Sequence, residues 1–142
     1  MASAPTTASA RWIDGQRFVT NGSAGHAVVM DSSRELNSAP GPMEMVLRSL
    51  CACSATDIVI VLNKTRQRYT HIEVSAEGAR ADEPPTVFTR IHMVYRATGI
   101  DLDRTAVERA VKLSREKYCS VFSMLEKTAS MSFAIQLETA HL

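Results

Sequence analysis

The chain has 142 residues, of which 45% are hydrophobic and 22% are charged, and its net charge is +1 at neutral pH. This is the composition of an ordinary globular protein with one core, so we expect residues 1–142 to form a single domain. Because the basic residues are spread along a nearly neutral chain, neither nucleic acid nor a membrane is an expected partner. The longest apolar run, Ile58–Leu62, is shorter than a membrane span and no signal peptide is evident, which predicts a cytoplasmic protein.

The N-terminal third of the chain predicts a β-meander. Residues 1–9 are small and polar, and we expect them to form a disordered tail. Two dipeptides that favour tight turns, Asp14-Gly15 and Asn21-Gly22, interrupt the β-prone sequence that follows. The three predicted strands are Arg11–Ile13, Arg17–Thr20 and His26–Met30.

A long helix is predicted next. Gly41 is a permissive cap, Pro42 suits the first helical position, and Glu44 lies in the first turn. The apolar pattern continues to Asn63 and ends in the basic segment Lys64–Arg66, which complements the helix C-terminus. Such a helix is about 33 Å long. Because it is apolar around most of its circumference, we expect it to be buried on most sides.

The remaining elements complete an α+β layout. Two strands, a pair of helices and a last strand are predicted in that order, with Asp103 as the cap of the first helix of the pair. Their ranges are His71–Ala76, Val87–Ala97, Arg104–Arg115, Cys119–Lys127 and Ser130–Leu137. The first two strands should pair as a hairpin. The predicted order is βββ-α-ββ-αα-β.

Two cysteines are the leading candidates for chemistry. Cys53 lies in the long helix among small residues such as Ala52, and a buried core cysteine is the alternative interpretation. Cys119 is predicted at a helix N-terminus, where the helix dipole and Lys117 would lower its pKa, although an incidental cysteine at a helix junction fits as well. An odd count of three cysteines makes a structural disulfide framework improbable.

Other candidates are weaker on sequence alone. Cys51 is about 200° around the helix from Cys53, so the two cannot form a local disulfide. Glu44 fits a capping carboxylate, and Asp57 should need a hydrogen-bonding partner. The histidines show none of the spacings of a zinc site, so we expect structural or surface roles for them and no metal. They are His26, His71, His92 and His141.

Several segments carry a family resemblance. Gly41–Leu47, Cys53–Asp57 and Lys117–Val121, with the stretches Ser23–Asp31 and Pro85–His92, are similar to the OsmC/Ohr family of osmotically induced and organic-hydroperoxide-resistance proteins. The resemblance is closest to the YhfA-like branch and covers nearly the whole chain. It implies an OsmC-like fold, in which the cysteine-bearing helices of an intertwined homodimer are central and β-sheets wrap around them.

The resemblance also implies a mechanism. Characterised members reduce organic or inorganic hydroperoxides without a cofactor. Cys53 would match the peroxidatic thiol, which becomes a sulfenic acid, and Cys119 would match the resolving thiol, which forms a disulfide with it. A dithiol reductant would then reopen that disulfide.

The family supports its peroxidatic thiolate with an arginine and a glutamate. Glu44 matches the acid, although it stands nine residues before Cys53, and the position ten residues before is occupied by Met43. Arg17 is the first choice for the arginine and Arg11 the second. A displaced acid favours the alternative of an OsmC-fold dimer that binds a small molecule or lipid without peroxidase chemistry. A third hypothesis is a structural interaction protein with incidental thiols.

Overall fold

A computed structural model describes residues 3–140 of the chain. Their contacts group into two compact units, one ending at Val46 and the other beginning at Leu47. Length and composition predict one domain, and the boundary between the two units falls inside the long helix. The element order is βββ-α-ββ-αα-β, which confirms the predicted layout.

The N-terminal unit contains an antiparallel sheet of order β1-β2-β3. The strands are β1 (Ala8–Asp14), β2 (Arg17–Gly22) and β3 (Ala27–Asp31). β1 begins inside the segment that was expected to be disordered, and Thr7 donates its backbone N–H to Ser23 Oγ at 2.7 Å. Of the expected tail, Met1 and Ala2 lie outside the described residues.

One of the two predicted turns is confirmed and the other is displaced. Gly15, at φ +47°, provides the left-handed backbone of the β1–β2 turn. Asn21-Gly22 was wrong as the second turn, because Gly22 pairs with Ala8 and Asn21 pairs with Ala27 in the sheet. The chain reverses after them, where Gly25 has φ +81°.

The long helix α1 spans Pro42–Lys64 and begins at the predicted proline. Its buried residues form one face rather than most of the circumference, and they are Leu50, Ser54, Ile58, Val61 and Leu62. Within the single chain, therefore, the predicted burial on most sides is not found. By length and composition alone α1 could cross a membrane, contrary to the shorter apolar run inferred from the sequence, but the core helix of a soluble protein passes the same test.

The C-terminal unit contains a second sheet, of order β4-β5-β6. β4 (Arg68–Arg80) and β5 (Phe88–Ile100) pair antiparallel, which confirms the predicted hairpin. β6 (Ser130–Thr139) lies parallel to β5 on its other side. Alternate residues of the central strand β5 are buried, namely Ile91, Met93, Tyr95 and Ala97.

The crossover between β5 and β6 is helical. α2 (Arg104–Leu113) is capped by Asp103, which accepts a hydrogen bond from the Thr105 N–H at 3.0 Å. A π-helical turn, Ser114–Tyr118, follows and extends the helical backbone beyond the predicted end at Arg115. α3 (Ser120–Leu125) is shorter than predicted, and Cys119 is its N-cap. A parallel pair of strands requires such a long crossover.

Candidate thiol site

The structure brings Cys53 and Cys119 together. Cys53 is half-buried on α1, and Cys119 is only 2% exposed at the start of α3. The two thiols form a hydrogen bond, and this bond is one of the causes that raise the pKa of Cys119. Neither is in a disulfide. Two reduced thiols from distant parts of the sequence thus share one site.

The Cys119 sulfur has two further hydrogen-bonding partners. The Phe122 N–H donates to Sγ at 3.4 Å, and Ser54 Oγ lies 3.5 Å from the same atom. Both interactions lower the pKa of the thiol, but burial has the larger effect and raises it. The prediction that the helix N-terminus gives Cys119 a low pKa is therefore wrong. Desolvation raises the pKa of Cys119 more than the hydrogen bonds at the N-cap lower it.

Ser54 and Tyr95 form a buried polar pair beside the thiols. Ser54 has no exposed surface, and Tyr95 on β5 is 2% exposed. The Tyr95 hydroxyl donates to Met93 Sδ at 3.5 Å. Burial raises the pKa of Tyr95 to about 12, and a hydrogen bond with Ser54 and the positive charge of Arg115 oppose that rise. The tyrosine therefore stays protonated at neutral pH.

Sequence reasoning missed both members of this pair. Ser54 directly follows a candidate cysteine in an apolar helix, and that polar position was the available signal. Tyr95 lies at an inward position of an alternating strand, where a hydroxyl needs a partner. Its partner comes from a different element, so the strand pattern alone could not identify it.

Cys51 is a third thiol near the pair. It is half-buried, and burial raises its pKa. A thiolate at Cys51, like one at Cys119, would raise the pKa of Tyr95. Cys51 is also outside any disulfide.

Asp57 ties α1 to the π-helical turn. Ser114, which is completely buried, donates its hydroxyl to Asp57 Oδ2 at 2.8 Å. The predicted need for a partner is confirmed, and the partner is a hydroxyl group rather than a cation. Asp57 is one helical turn after Cys53, so this bond fixes the position of the crossover beside the peroxidatic candidate.

Arg115 is held in the same crossover by aromatic rings. Its guanidinium carbon lies 4.0 Å from the ring centroid of Phe133 and 5.4 Å from that of Phe122. Such cation–π contacts stabilise a partly buried guanidinium. Lys117, which the sequence suggested as a cation for Cys119, has its Nζ 5.2 Å from the Tyr118 ring centroid instead.

Two surface depressions lie along the crossover, and the second of them includes Cys119 in its lining. One, of about 490 Å³, combines apolar side chains with charged ones, including Asp57, Ile60, Lys64, Arg109, Leu113 and Tyr118. The other, of about 420 Å³, is lined by Lys117, Tyr118, Cys119, Ser123, Met124 and Lys127. Tyr118 borders both. An apolar molecule with an anionic or polar end would find complementary groups here.

The predicted charged residues belong to the N-terminal unit. Arg17 forms a forked ion pair with Asp14, with Nε 2.6 Å from Oδ1, and this pair raises the pKa of Arg17 and lowers that of Asp14. Arg11 is exposed on β1, and Glu44 is exposed in the first turn of α1. Their support of the Cys53 thiolate stays a prediction.

The described histidines have surface settings. His92 Nδ1 lies 2.7 Å from Ser132 Oγ, and His71 Nε2 lies 4.0 Å from Glu73. Within residues 3–140, no group of three or more histidine, cysteine or acidic side chains is arranged to hold a metal ion. His141 lies outside the described residues.

Comparison with known proteins agrees with this arrangement. Residues 35–133 match the model of the family described as OsmC-like protein. The chain belongs to the OsmC-like family. Protein YhfA of Escherichia coli K12 is 41% identical over 133 residues, which cover 94% of this chain and 98% of that protein. The resemblance inferred from the sequence is thereby confirmed.

Solved structures extend the OsmC-like assignment to the fold. A hypothetical protein from Aquifex aeolicus VF5 has a TM-score of 0.86 at 27% identity, covering 98% of this chain and 100% of that one. An organic hydroperoxide resistance protein from Legionella pneumophila has a TM-score of 0.69 at 18% identity, covering 96% and 99%. At that identity the second likeness shows the OsmC-like fold alone.

Proposed function

We propose that this OsmC-like chain is a thiol peroxidase that reduces organic hydroperoxides, and inorganic ones as well, through a two-cysteine cycle. The observation that carries the proposal is the contact between Cys53 and Cys119, both reduced, at one site. Of the two, Cys53 is the more accessible, whereas Cys119 is 2% exposed. The attacking thiol must meet the substrate, so Cys53 is assigned as peroxidatic and Cys119 as resolving.

In the first step the Cys53 thiolate attacks the terminal oxygen of the hydroperoxide. The O–O bond breaks, the released alkoxide takes a proton and leaves as an alcohol, and Cys53 becomes a sulfenic acid. The peroxide is reduced by two electrons and the sulfur is oxidised by two. A guanidinium such as that of Arg17, with Arg11 as second choice, and the Glu44 carboxylate would orient this reaction.

In the second step Cys119 attacks the oxidised sulfur of Cys53. The S–O bond breaks, the hydroxyl group leaves as water with the proton of the Cys119 thiol, and a Cys53–Cys119 disulfide forms. A dithiol reductant then supplies two electrons and two protons by thiol–disulfide exchange and restores both thiols. No cofactor or metal takes part in this cycle.

The depression that Asp57 lines supports an organic substrate. Ile60 and Leu113 provide apolar surface, and Lys64 and Arg109 provide positive charge at the same groove. Because Asp57 is one turn beyond Cys53, a hydroperoxide whose apolar body lies in this groove would have its peroxide group near the sulfur.

The working form is proposed to be a cytoplasmic homodimer. Only 28% of the most apolar 18-residue window of α1 is buried within the chain. Large side chains such as Trp12, at 68% exposure, and Met124, at 72%, are exposed as well. Apolar surface of this extent is typical of a protein–protein interface, and a second copy of the chain would cover it.

A binding protein without peroxidase activity is the second candidate. The raised pKa of Cys119 favours it, because a buried protonated thiol reacts slowly. The amphipathic groove beside Asp57 would then hold a small molecule or lipid. This candidate requires that neither thiol responds to peroxide.

The deciding experiment is oxidation of the fully reduced protein with one equivalent of cumene hydroperoxide, and in parallel with hydrogen peroxide. Intact-mass analysis and peptide mapping should show rapid loss of two hydrogens, located in a Cys53–Cys119 disulfide. Cys53→Ser should lower peroxide consumption at least about 10³-fold, since removing a nucleophile has effects of this order or larger. Cys51→Ser is the matched control on the same helix and should retain activity.

Persistence of both thiols under conditions that oxidise a control peroxidase would overturn the peroxidase proposal. The binding candidate would then be tested by native mass spectrometry for a molecule retained from expression. A disulfide that includes Cys51 instead of Cys53 would reject the assignment of the peroxidatic residue while keeping the reaction class.

A further inference from the structure

Ser54 occupies an unusual place for a serine. It directly follows Cys53, has no exposed surface, and lies on the buried face of an apolar helix. A hydroxyl in such surroundings costs free energy unless it is hydrogen-bonded. Thr56, two residues later and exposed, bonds to the Ala52 carbonyl at 2.8 Å, the common solution for a hydroxyl on a helix. Ser54 instead contacts the Cys119 sulfur.

The contact joins the two elements that carry the thiols. Ser54 Oγ is 3.5 Å from Cys119 Sγ, so the residue next to Cys53 on α1 contacts the resolving sulfur. The Phe122 N–H, at 3.4 Å, holds the same atom from α3. One of these partners is a backbone N–H, and the other is a side chain that a substitution can remove.

Tyr95 completes the arrangement from the sheet. Its hydroxyl interacts with Ser54 and donates to Met93 Sδ, and its ring is packed at 6.1 Å from that of Phe133. In the structure the Tyr95 proton points to Met93 Sδ, and because Tyr95 stays protonated its hydroxyl can rotate to donate to Ser54 Oγ when Ser54 donates to a Cys119 thiolate. A donor chain of this kind strengthens its terminal hydrogen bond.

We propose that Ser54 is the positioning residue of the resolving step, holding Cys119 Sγ beside Cys53 and stabilising its thiolate, with Tyr95 orienting the serine hydroxyl. The inference rests on the proposed two-cysteine cycle and assigns roles within it. The reaction is that of the second step: a thiol and a sulfenic acid give a disulfide and water. Ser54 and Tyr95 contribute a hydrogen bond to the attacking sulfur and are not consumed.

The test measures the rates of the two chemical steps separately in the Ser54→Ala variant. Cys53 sulfenic acid is trapped with dimedone after rapid mixing with cumene hydroperoxide, and disulfide formation is followed by intact mass. Sulfenic acid should form within about twofold of the native rate. Disulfide formation should slow about tenfold, the factor expected for one hydrogen bond to a charged group, and its pH profile should move to higher pH. The sulfenic acid should therefore accumulate.

Matched variants sharpen the result. Thr56→Ala removes a hydroxyl from the exposed face of the same helix and should leave both steps unchanged. Ser54→Thr keeps the hydroxyl and should restore most of the resolving rate. Tyr95→Phe removes only the orienting donor and should slow disulfide formation less than Ser54→Ala does.

The outcomes are distinguishable. If native protein forms neither sulfenic acid nor disulfide, the proposed peroxidase function fails. If native protein cycles and Ser54→Ala resolves at the same rate and with the same pH profile, the role of Ser54 is rejected. If Ser54→Ala does not fold, the resolving rates of Tyr95→Phe and Ser54→Thr decide. A native rate in Tyr95→Phe together with a slow rate in Ser54→Thr would also contradict the donor chain.

Discussion

The two units of the chain differ in what holds them together. In the C-terminal unit, apolar residues from a helix and a sheet are almost completely buried, including Leu50, Leu62 and Ile91. In the N-terminal sheet, no apolar residue of the three strands is buried, and β1 is exposed along its whole length. The first region has its own core, and the second has cross-strand bonds without one.

This difference bears on how the protein is stabilised. A three-stranded sheet in water requires an apolar face packed on something else for stability. The strand register places exposed apolar residues on both faces of this sheet, with Trp12 at 68% on one face and Val29 at 42% on the other, and these are the surfaces available for such packing. The comparison therefore supports the proposed homodimer: the C-terminal unit would fold largely on its own contacts, and the N-terminal sheet would gain its stability from a second copy.

The largest difference between the two units should appear when the free energies of unfolding of Leu62→Ala and Val29→Ala are compared. Leu62 has no exposed surface, so its truncation leaves a cavity and should lower the free energy of unfolding by about 2–5 kcal/mol. Val29→Ala should cost well under about 1 kcal/mol in dilute protein, with a larger cost at concentrations where the dimer forms. Urea unfolding monitored by circular dichroism at several protein concentrations measures both.

The fluorescence of Trp12, which is the only tryptophan of the chain, reports separately on the N-terminal sheet in the same titrations. Equal, concentration-independent costs for the two substitutions would contradict the comparison, since they would mean that the sheet has a core of its own. Val28→Ala, at the neighbouring position of β3, tests the opposite face of the sheet, which also carries Trp12.

At high pH the C-terminal unit should respond first, through Tyr95. Burial raises the pKa of this tyrosine to about 12, above the value of about 10 for an unfolded chain. Its contribution to stability is therefore complete below pH 10 and is lost as the pH rises from there toward 12. Two pKa units correspond to about 2–3 kcal/mol. Unfolding free energies measured from pH 8 to 12 should fall accordingly.

Tyr95→Phe is the control for this alkaline loss, because phenylalanine cannot ionise. The variant should be less stable than the native protein at neutral pH only by the lost hydrogen bonds, and its pH dependence above 10 should be shallower. Parallel curves for the two proteins would show that another group causes the alkaline loss.

Local patterns in the sequence were sufficient for most elements of the fold. The proline and glutamate at the start of α1, and the alternation in β4 and β5, each act within a few residues. The displaced turn shows the limit of such patterns: Asn21-Gly22 has the right composition for a turn, but pairing with β1 and β3 keeps both residues in the strand. The parallel position of β6 depends on packing of the crossover, which no local pattern encodes.

The candidate site was predictable in its thiols and not in their surroundings. Family resemblance identified Cys53 and Cys119, but their pKa values depend on burial and on contacts made by other elements. The sequence did not single out Ser54, because a lone serine carries no signal of its own until the sulfur of Cys119 lies beside it. The prediction of a low pKa for Cys119 was wrong for the same reason. A helix N-cap indicates that hydrogen-bond donors are present, but it does not indicate how far the thiol is desolvated.

At low pH the N-terminal unit should respond, through Asp31, and with the smallest effect. The Ser38 hydroxyl and the backbone N–H groups of Ser33 and Ser38 donate to this buried carboxylate, which lowers its pKa. The stabilisation is therefore present above the unfolded pKa of about 3.9 and is lost as the pH falls through the lower folded value. Amide hydrogen exchange at Ser33 and Ser38, measured as the pH is lowered below 4, should lose protection there first.

Asp31→Asn is the matched control for this acid response, because its side chain can accept one of these hydrogen bonds but carries no charge. It should show less protection at neutral pH and little further change as the pH falls. The N-terminal and C-terminal units would then titrate at opposite ends of the pH scale, Asp31 in acid and Tyr95 in base. Identical exchange profiles for the native protein and Asp31→Asn would remove the acid half of that contrast and assign the low-pH behaviour to the other carboxylates of the chain.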